Sequence, residues 1–112
     1  METENCIKHR FCIGDWKLIC IQSLFTLNND GVKLFAKSDE GFEKIVFDPE
    51  KKTVSVVVKN PRFPYPRTVD LSEAPEFFDA IRANLETLMT MERSKCKKVT
   101  ANEDRTVFTV TY

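Results

Sequence analysis

Glycine is scarce in this chain: Gly14, Gly31 and Gly41 are the only three in 112 residues, and none stands near another. A phosphate-cradling loop needs several glycines within one turn, so none can be built here. Histidine occurs once, at His9, with no second base beside a nucleophile, so a catalytic triad cannot be assembled. Apolar runs stop at about four residues, far below the ~20 that a membrane helix requires. The opening "METENCIKHRFCIGDW" lacks the apolar stretch of a secretory signal. The chain is therefore expected inside the cell, nuclear or cytoplasmic, with its four cysteines as reduced thiols. Net charge is missing too. Seventeen basic and seventeen acidic residues cancel, so an electrostatic partner must be met by a local patch. These absences argue against an enzyme, a membrane protein and a cofactor carrier, and no cofactor or bound metal is expected.

What is present is the material of one globular domain. Hydrophobic residues make up 42% and charged residues 30%, enough to build a core without disorder. "WKLICIQSLFTL" (16–27) is rich in strand formers and apolar on both alternating sets, which predicts one long central strand covered on both faces. "NNDG" (28–31) is a turn, because Asn, Asp and Gly tolerate positive φ. "VKLFAK" (32–37), "FEKIVF" (42–47) and "TVSVVVK" (53–59) follow as strands, separated by turns at "SDEG" and "DPEKK". The acids Asp15, Asp39, Glu40, Asp48 and Glu50 read as turn-located and solvated.

A helix is expected over 73–92, with Ser72 as N-cap, early acids at Glu73, Glu76 and Asp79, and Pro75 in the first turn. Phe77, Phe78, Ile81, Leu85, Leu88 and Met89 recur at three- and four-residue steps and form one apolar stripe. Arg93, Lys95, Lys97 and Lys98 sit where the helix dipole favours cations. A last strand covers 106–112, after the loop "TANEDR". The predicted architecture is a single α+β domain over 11–112: an antiparallel β-meander of about five strands, with one long amphipathic helix packed across one face. Residues 1–10 form an N-terminal arm. If the far sheet face stays apolar it needs a cover, and a second copy of the chain would supply it.

The segment "NPRFPYPR" (60–67) stands apart. Each proline fixes its own φ and pushes the preceding residue, here Asn60, Phe63 and Tyr65, toward extended backbone. It has too few donors for a central strand and reads as an edge segment or ordered loop. Extended backbone sends Arg62 and Pro64 one way, Phe63 and Tyr65 the other. One consistent arrangement buries a ring against the helix and leaves the arginines at the surface. From Lys51 to Arg67 there are five basic residues and no acid. Cations that track phosphates, interleaved with rings that stack bases, are what single-stranded nucleic acid requires. Lys52, Lys59, Arg62 and Arg67 are the expected phosphate contacts, and Phe63 or Tyr65 the stacking rings. The same Pro-aromatic segment, or a sheet edge, would also serve a protein-interaction or inhibitory module.

Two stretches resemble a known superfamily. "RFCIGDWKLICI" (10–21), with Phe11, Ile13 and Gly14 in an aromatic-x-Ile-Gly start, resembles the first strand of the transcriptional positive-cofactor coactivators. "RTVDLSEAPEFFDAI" (67–81), with Arg67, then Val69 and Leu71, then a helix carrying aromatics, resembles the strand-to-helix junction of those coactivators and of the Pur-alpha repeats. The resemblance spans Arg10 to Leu88. It implies a homodimer whose helices help pair two sheets, with single-stranded DNA or RNA across the strands. Thr68 replaces the usual glycine of the junction, and "GVKLFAK" lacks the Arg-Glu-aromatic signature of the second strand.

Two further clusters call for a reading. Cys6, His9, Cys12 and Cys20 include the residue types that zinc accepts, but their spacing matches no common knuckle and there is no CxxC. "RSKCKK" (93–98) reads as a solvated helix C-terminus.

Overall fold

The structure is a computed structural model and describes residues 9–21, 24–29, 31, 33–37, 40–89 and 97–111. Its strands form two antiparallel sheets, where a single meander was expected. The first contains β1 (His9–Ile13), β2 (Trp16–Ile21), β3 (Leu24–Asn28) and β4 (Lys33–Ala36), paired in chain order. The second contains β5 (Phe42–Asp48), β6 (Thr53–Val58), β7 (Thr68–Asp70), β8 (Lys98–Ala101) and β9 (Val107–Thr111), in the order β7-β6-β5-β9-β8. Helix α1 (Pro75–Met89) lies between β7 and β8 in the chain.

The long strand expected over 16–27 is a tight hairpin. Leu18 pairs with Leu27, Cys20 with Phe25 and Ile21 with Leu24. A two-residue connection reverses the chain, so the buried positions change from even numbers (Trp16, Leu18) to odd ones (Phe25, Leu27). This parity change accounts for much of the two-sided apolar pattern. Ser is only a weak turn former and no Gly, Pro, Asn or Asp stands at the reversal, which is why the sequence reads straight through it. At the other end of β2, Gly14 (φ 61°) opens the two-residue turn that pairs Ile13 with Trp16.

The helix begins at Pro75, later than Ser72 suggested. Proline suits the first helical position because its missing N–H would have no partner there. The carbonyl of Ala74 accepts the N–H groups of Phe77 and Phe78. The Ser72 N–H is instead held by Asp70 Oδ1 at 2.8 Å, so Ser72 is not the cap. The apolar stripe is as expected: Phe77, Phe78, Ile81, Leu85, Leu88 and Met89 are all buried. Its surroundings are not. Phe77 stacks on Phe11 and Trp16 of the first sheet, with ring centres 6.0 Å away in each case. Phe78 meets Phe47 of the second sheet edge-on at 5.5 Å, and Phe47 meets Phe108 at 5.3 Å. The helix therefore fills the space between two sheets, with successive phenylalanines facing different layers. On the other side β4 lies against β6 and β7. One continuous core runs through all three layers.

Other boundaries also move. His9 and Arg10, assigned to the arm, begin β1, and residues 1–8 lie outside the described residues. Residues 90–92 of the expected helix, and Arg93 and Lys95, lie outside them too. Lys97 and Lys98 do not extend a helix: Lys98 starts β8, whose backbone pairs with β9. The last strand is Val107–Thr111, and Tyr112 is outside the described residues. Among the described residues no helix is long and apolar enough to cross a membrane.

Candidate nucleic-acid interface

The proline segment joins β6 to β7, a short strand absent from the sequence reading, and only then does the chain reach the helix. Its alternation is regular: Phe63, Tyr65 and Arg67 are half-buried, while Arg62, Pro64 and Pro66 are exposed. The prolines predict this, because they hold the backbone extended and extended backbone alternates its side chains.

A carboxylate organises the inner side. Glu40, expected to be solvated, is fully buried. Its Oε2 accepts the backbone N–H groups of Arg62 at 3.1 Å and Phe63 at 3.2 Å. Oε1 accepts the N–H of Lys37 at 3.2 Å. The Arg67 guanidinium grips both oxygens, Nη1 to Oε1 at 3.1 Å and Nη2 to Oε2, and Nη2 also reaches the Phe63 carbonyl at 3.0 Å. Backbone bonds from Asn60 N to Glu40 O (2.8 Å) and Lys59 N to Gly41 O (3.0 Å) fasten the start of the segment to the same turn. Burial alone would raise the Glu40 pKa. The hydrogen bonds from Arg67, Arg62, Lys37 and Phe63 outweigh it and hold the carboxyl at about 2. Two amides stranded outside any ladder thus find their acceptor, as buried amides must.

Held this way, Phe63 and Tyr65 stack on each other, ring centres 5.5 Å apart and planes inclined by 23°. The Lys37 ammonium lies 5.0 Å from the Phe63 ring centre and 5.6 Å from that of Tyr65, within cation–π range of both. The expectation that a ring would pack on the helix gives way to this ring pair.

The six residues singled out from the sequence do not form one set. Phe63 and Tyr65 are together. Lys59 and Arg62 are exposed beside them, and neither has an ion-pair partner among the described residues. Arg67 is committed to Glu40. Lys52 is turned elsewhere: its ammonium is 3.7 Å from Asp79 and 4.9 Å from the centre of the Phe78 ring. Lys37 and Glu40 were missed. Two amides in a proline-rich stretch signal that an acceptor is needed, but nothing in the sequence says which acid supplies it.

No protein-family model, curated protein or solved structure matches the chain.

Cys6 and Cys96 lie outside the described residues, Cys12 is exposed, and His9 pairs in backbone register with Cys20. Among the described residues no three His, Cys, Asp or Glu side chains stand close enough to hold a metal ion.

Proposed function

We propose that this chain is a non-catalytic binder of single-stranded nucleic acid, acting as a homodimer. The ring pair Phe63–Tyr65 is its stacking platform, and Lys59 and Arg62 are its phosphate contacts, with the Lys37 ammonium over the rings. The carrying observation is the pre-stacked pair on proline-stiffened backbone beside two exposed cations that have no ion-pair partner among the described residues. A base that extends such a stack gains ~1–3 kcal/mol, and the backbone has little freedom left to lose on binding. Arg67 acts as a positioning residue through Glu40, and Lys52 takes no part. The local resemblance to the coactivators and Pur-alpha repeats favours the same ligand class and a dimer.

A second reading has its own observation. Pro61, Pro64 and Pro66 are exposed, and such a crest suits an aromatic-lined groove on a protein partner. Salt separates the two. Fluorescence anisotropy with labelled single-stranded DNA and RNA at two salt concentrations, run beside a mass measurement, tests the first. Binding should weaken steeply with salt and weaken further in Lys59→Ala/Arg62→Ala. Oligonucleotide affinity that ignores both changes sinks it.

A further inference from the structure

The second sheet buries one face and presents the other. Ile45, Phe47, Val56 and Phe108 lie in the core, so strand alternation turns Val46, Ser55, Val57 and Val107 outward. These four are half-buried or exposed, Val57 the most open at 40%. Register sets Val46 between Val107 and Ser55, and Ser55 beside Thr68, whose hydroxyls hydrogen-bond at 2.8 Å. The middle of the outer face is thus a row of four side chains without a charge.

The charges around that row are sorted by sign along the strands. Two residues from Val46 in one direction stands Lys44, with Lys97 and Lys98 beyond it and Glu43 as the nearby acid. Two residues the other way stands Asp48, with Asp70 in the same cross-strand row. Glu50, Glu103 and Asp104 are exposed in the adjoining turns. Of the cations in those turns, Lys52 and Arg105 are drawn to Asp79 and Glu86, which leaves Lys51 against five acids.

A face with a neutral middle, a basic end and an acidic end is complementary to itself turned end for end. A two-fold axis lying in the interface and crossing the strands at Val46 sets that valine on its own copy. The same axis lays Lys44 of each chain over the partner's Asp48. A polyanion finds no cation in the neutral row and is repelled at the acidic end.

We infer that this face joins two copies of the chain, sheet on sheet, about that axis. The inference rests on the homodimer of the functional reading and locates its interface. It keeps the helices out of the contact, because α1 packs on the opposite face through Phe78 and Phe47.

Sedimentation of the full chain over micromolar concentrations tests it. The wild type should dimerise. Lys44→Glu sets acid against the partner's Asp48, and Asp48→Lys sets cation against the partner's Lys44. Each should raise the dissociation constant at least tenfold, as like charges do in an interface. Mixing the two folded variants should restore dimers, since every contact in the mixed pair again joins opposite charges. Asp48 also accepts two turn N–H groups, so its variant is checked by unfolding midpoint. If it unfolds, Lys44→Glu and Val46→Lys decide, and both should dissociate the dimer. A dimer that survives those two changes, or folded variants that fail to recover on mixing, overturns this face and leaves the homodimer standing. A wild-type monomer overturns both. Oligonucleotide anisotropy on the same samples scores the nucleic-acid reading separately.

Discussion

Arg82 and Arg105 each donate to the other's main chain: Arg82 Nε to the Arg105 carbonyl at 3.1 Å, and Arg105 Nη2 to the Arg82 carbonyl at 2.9 Å. Two like charges can clasp because Glu86 takes the Arg105 guanidinium on both oxygens, each at 2.7 Å. Those bonds hold Glu86 below the usual carboxylate range and push Arg105 above its ordinary value. Arg105 sits at φ 56°, a left-handed conformation that costs a side-chain-bearing residue about 1–2 kcal/mol. The clasp ties the middle of α1 to the β8–β9 hairpin and offsets that cost.

Arg105→Ala should therefore lower stability by about 1–2 kcal/mol, since it loses the bonds and keeps the strained backbone. Arg105→Gly should recover part of the loss by relieving the backbone. Urea unfolding midpoints with an unchanged slope would show this. If alanine and glycine are equally harmful, the backbone strain is not felt.

Glu40 sets an acid limit on stability. Its pKa is depressed from 4.5 to about 2 on folding, so its contribution is complete above the unfolded value and is lost as pH falls through the folded one. Stability should drop between roughly pH 5 and 2 by on the order of 3 kcal/mol from this group alone. Glu40→Gln should remove that part of the pH dependence and destabilise at neutral pH by about 3–5 kcal/mol, because Arg67 is left without its counter-charge. Denaturant titrations at several pH values measure both effects.

The two positive-φ glycines should respond differently. At Gly14 (φ 61°) an added Cβ meets nothing within 4 Å, so Gly14→Ala should cost only the backbone term, about 1–2 kcal/mol. At Gly41 (φ 74°) it would stand 3.2 Å from the Cβ of Lys59, whose N–H the Gly41 carbonyl accepts. Gly41→Ala should cost more, about 2–3 kcal/mol, and should also disturb the binding segment. Thermal unfolding of the pair ranks them.

On the binding surface, Lys59→Ala/Arg62→Ala should lower the log–log salt slope by about 1.4, from ~0.7 per phosphate contact on a single strand. Phe63→Ala should weaken binding without changing that slope. Arg67→Lys keeps the charge but loses the two-pronged grip on Glu40, so it should weaken binding through loss of shape, with a fall in the unfolding midpoint. Anisotropy titrations and melting curves together separate these effects.

The sequence is legible where periodicity and local chemistry agree. All six stripe residues of the helix are buried, the turn read after Asp48 falls between strands, and the one read at 28–31 lies at the β3–β4 junction, with Asn28 still in β3. It misleads where a tertiary partner decides. The β2–β3 reversal has no Gly, Pro, Asn or Asp to mark it. Strand β7 is three residues long, and β8 exists because β9 pairs with it. At the candidate site, prolines betray the extended backbone and the alternation of Phe63 and Tyr65. The ionic partners of Arg67 and Lys52 lie 27 positions away in the chain at both, Glu40 and Asp79, and no local pattern connects them.

Every pairing in the first sheet joins neighbours along the chain, whereas the second closes only when β9 slots in beside β5. The polypeptide passes from one sheet to the other once, between Ala36 and Phe42. Closing a long loop costs more chain entropy than closing a short one, so the β5–β9 pairing carries the larger closure cost. The buried Glu40 carboxylate stands in that lone passage. From there it reaches back to Lys37, just after the last strand of one sheet, and forward to Arg62, Phe63 and Arg67 beside the other, so one carboxylate serves both the seam and the aromatic ridge.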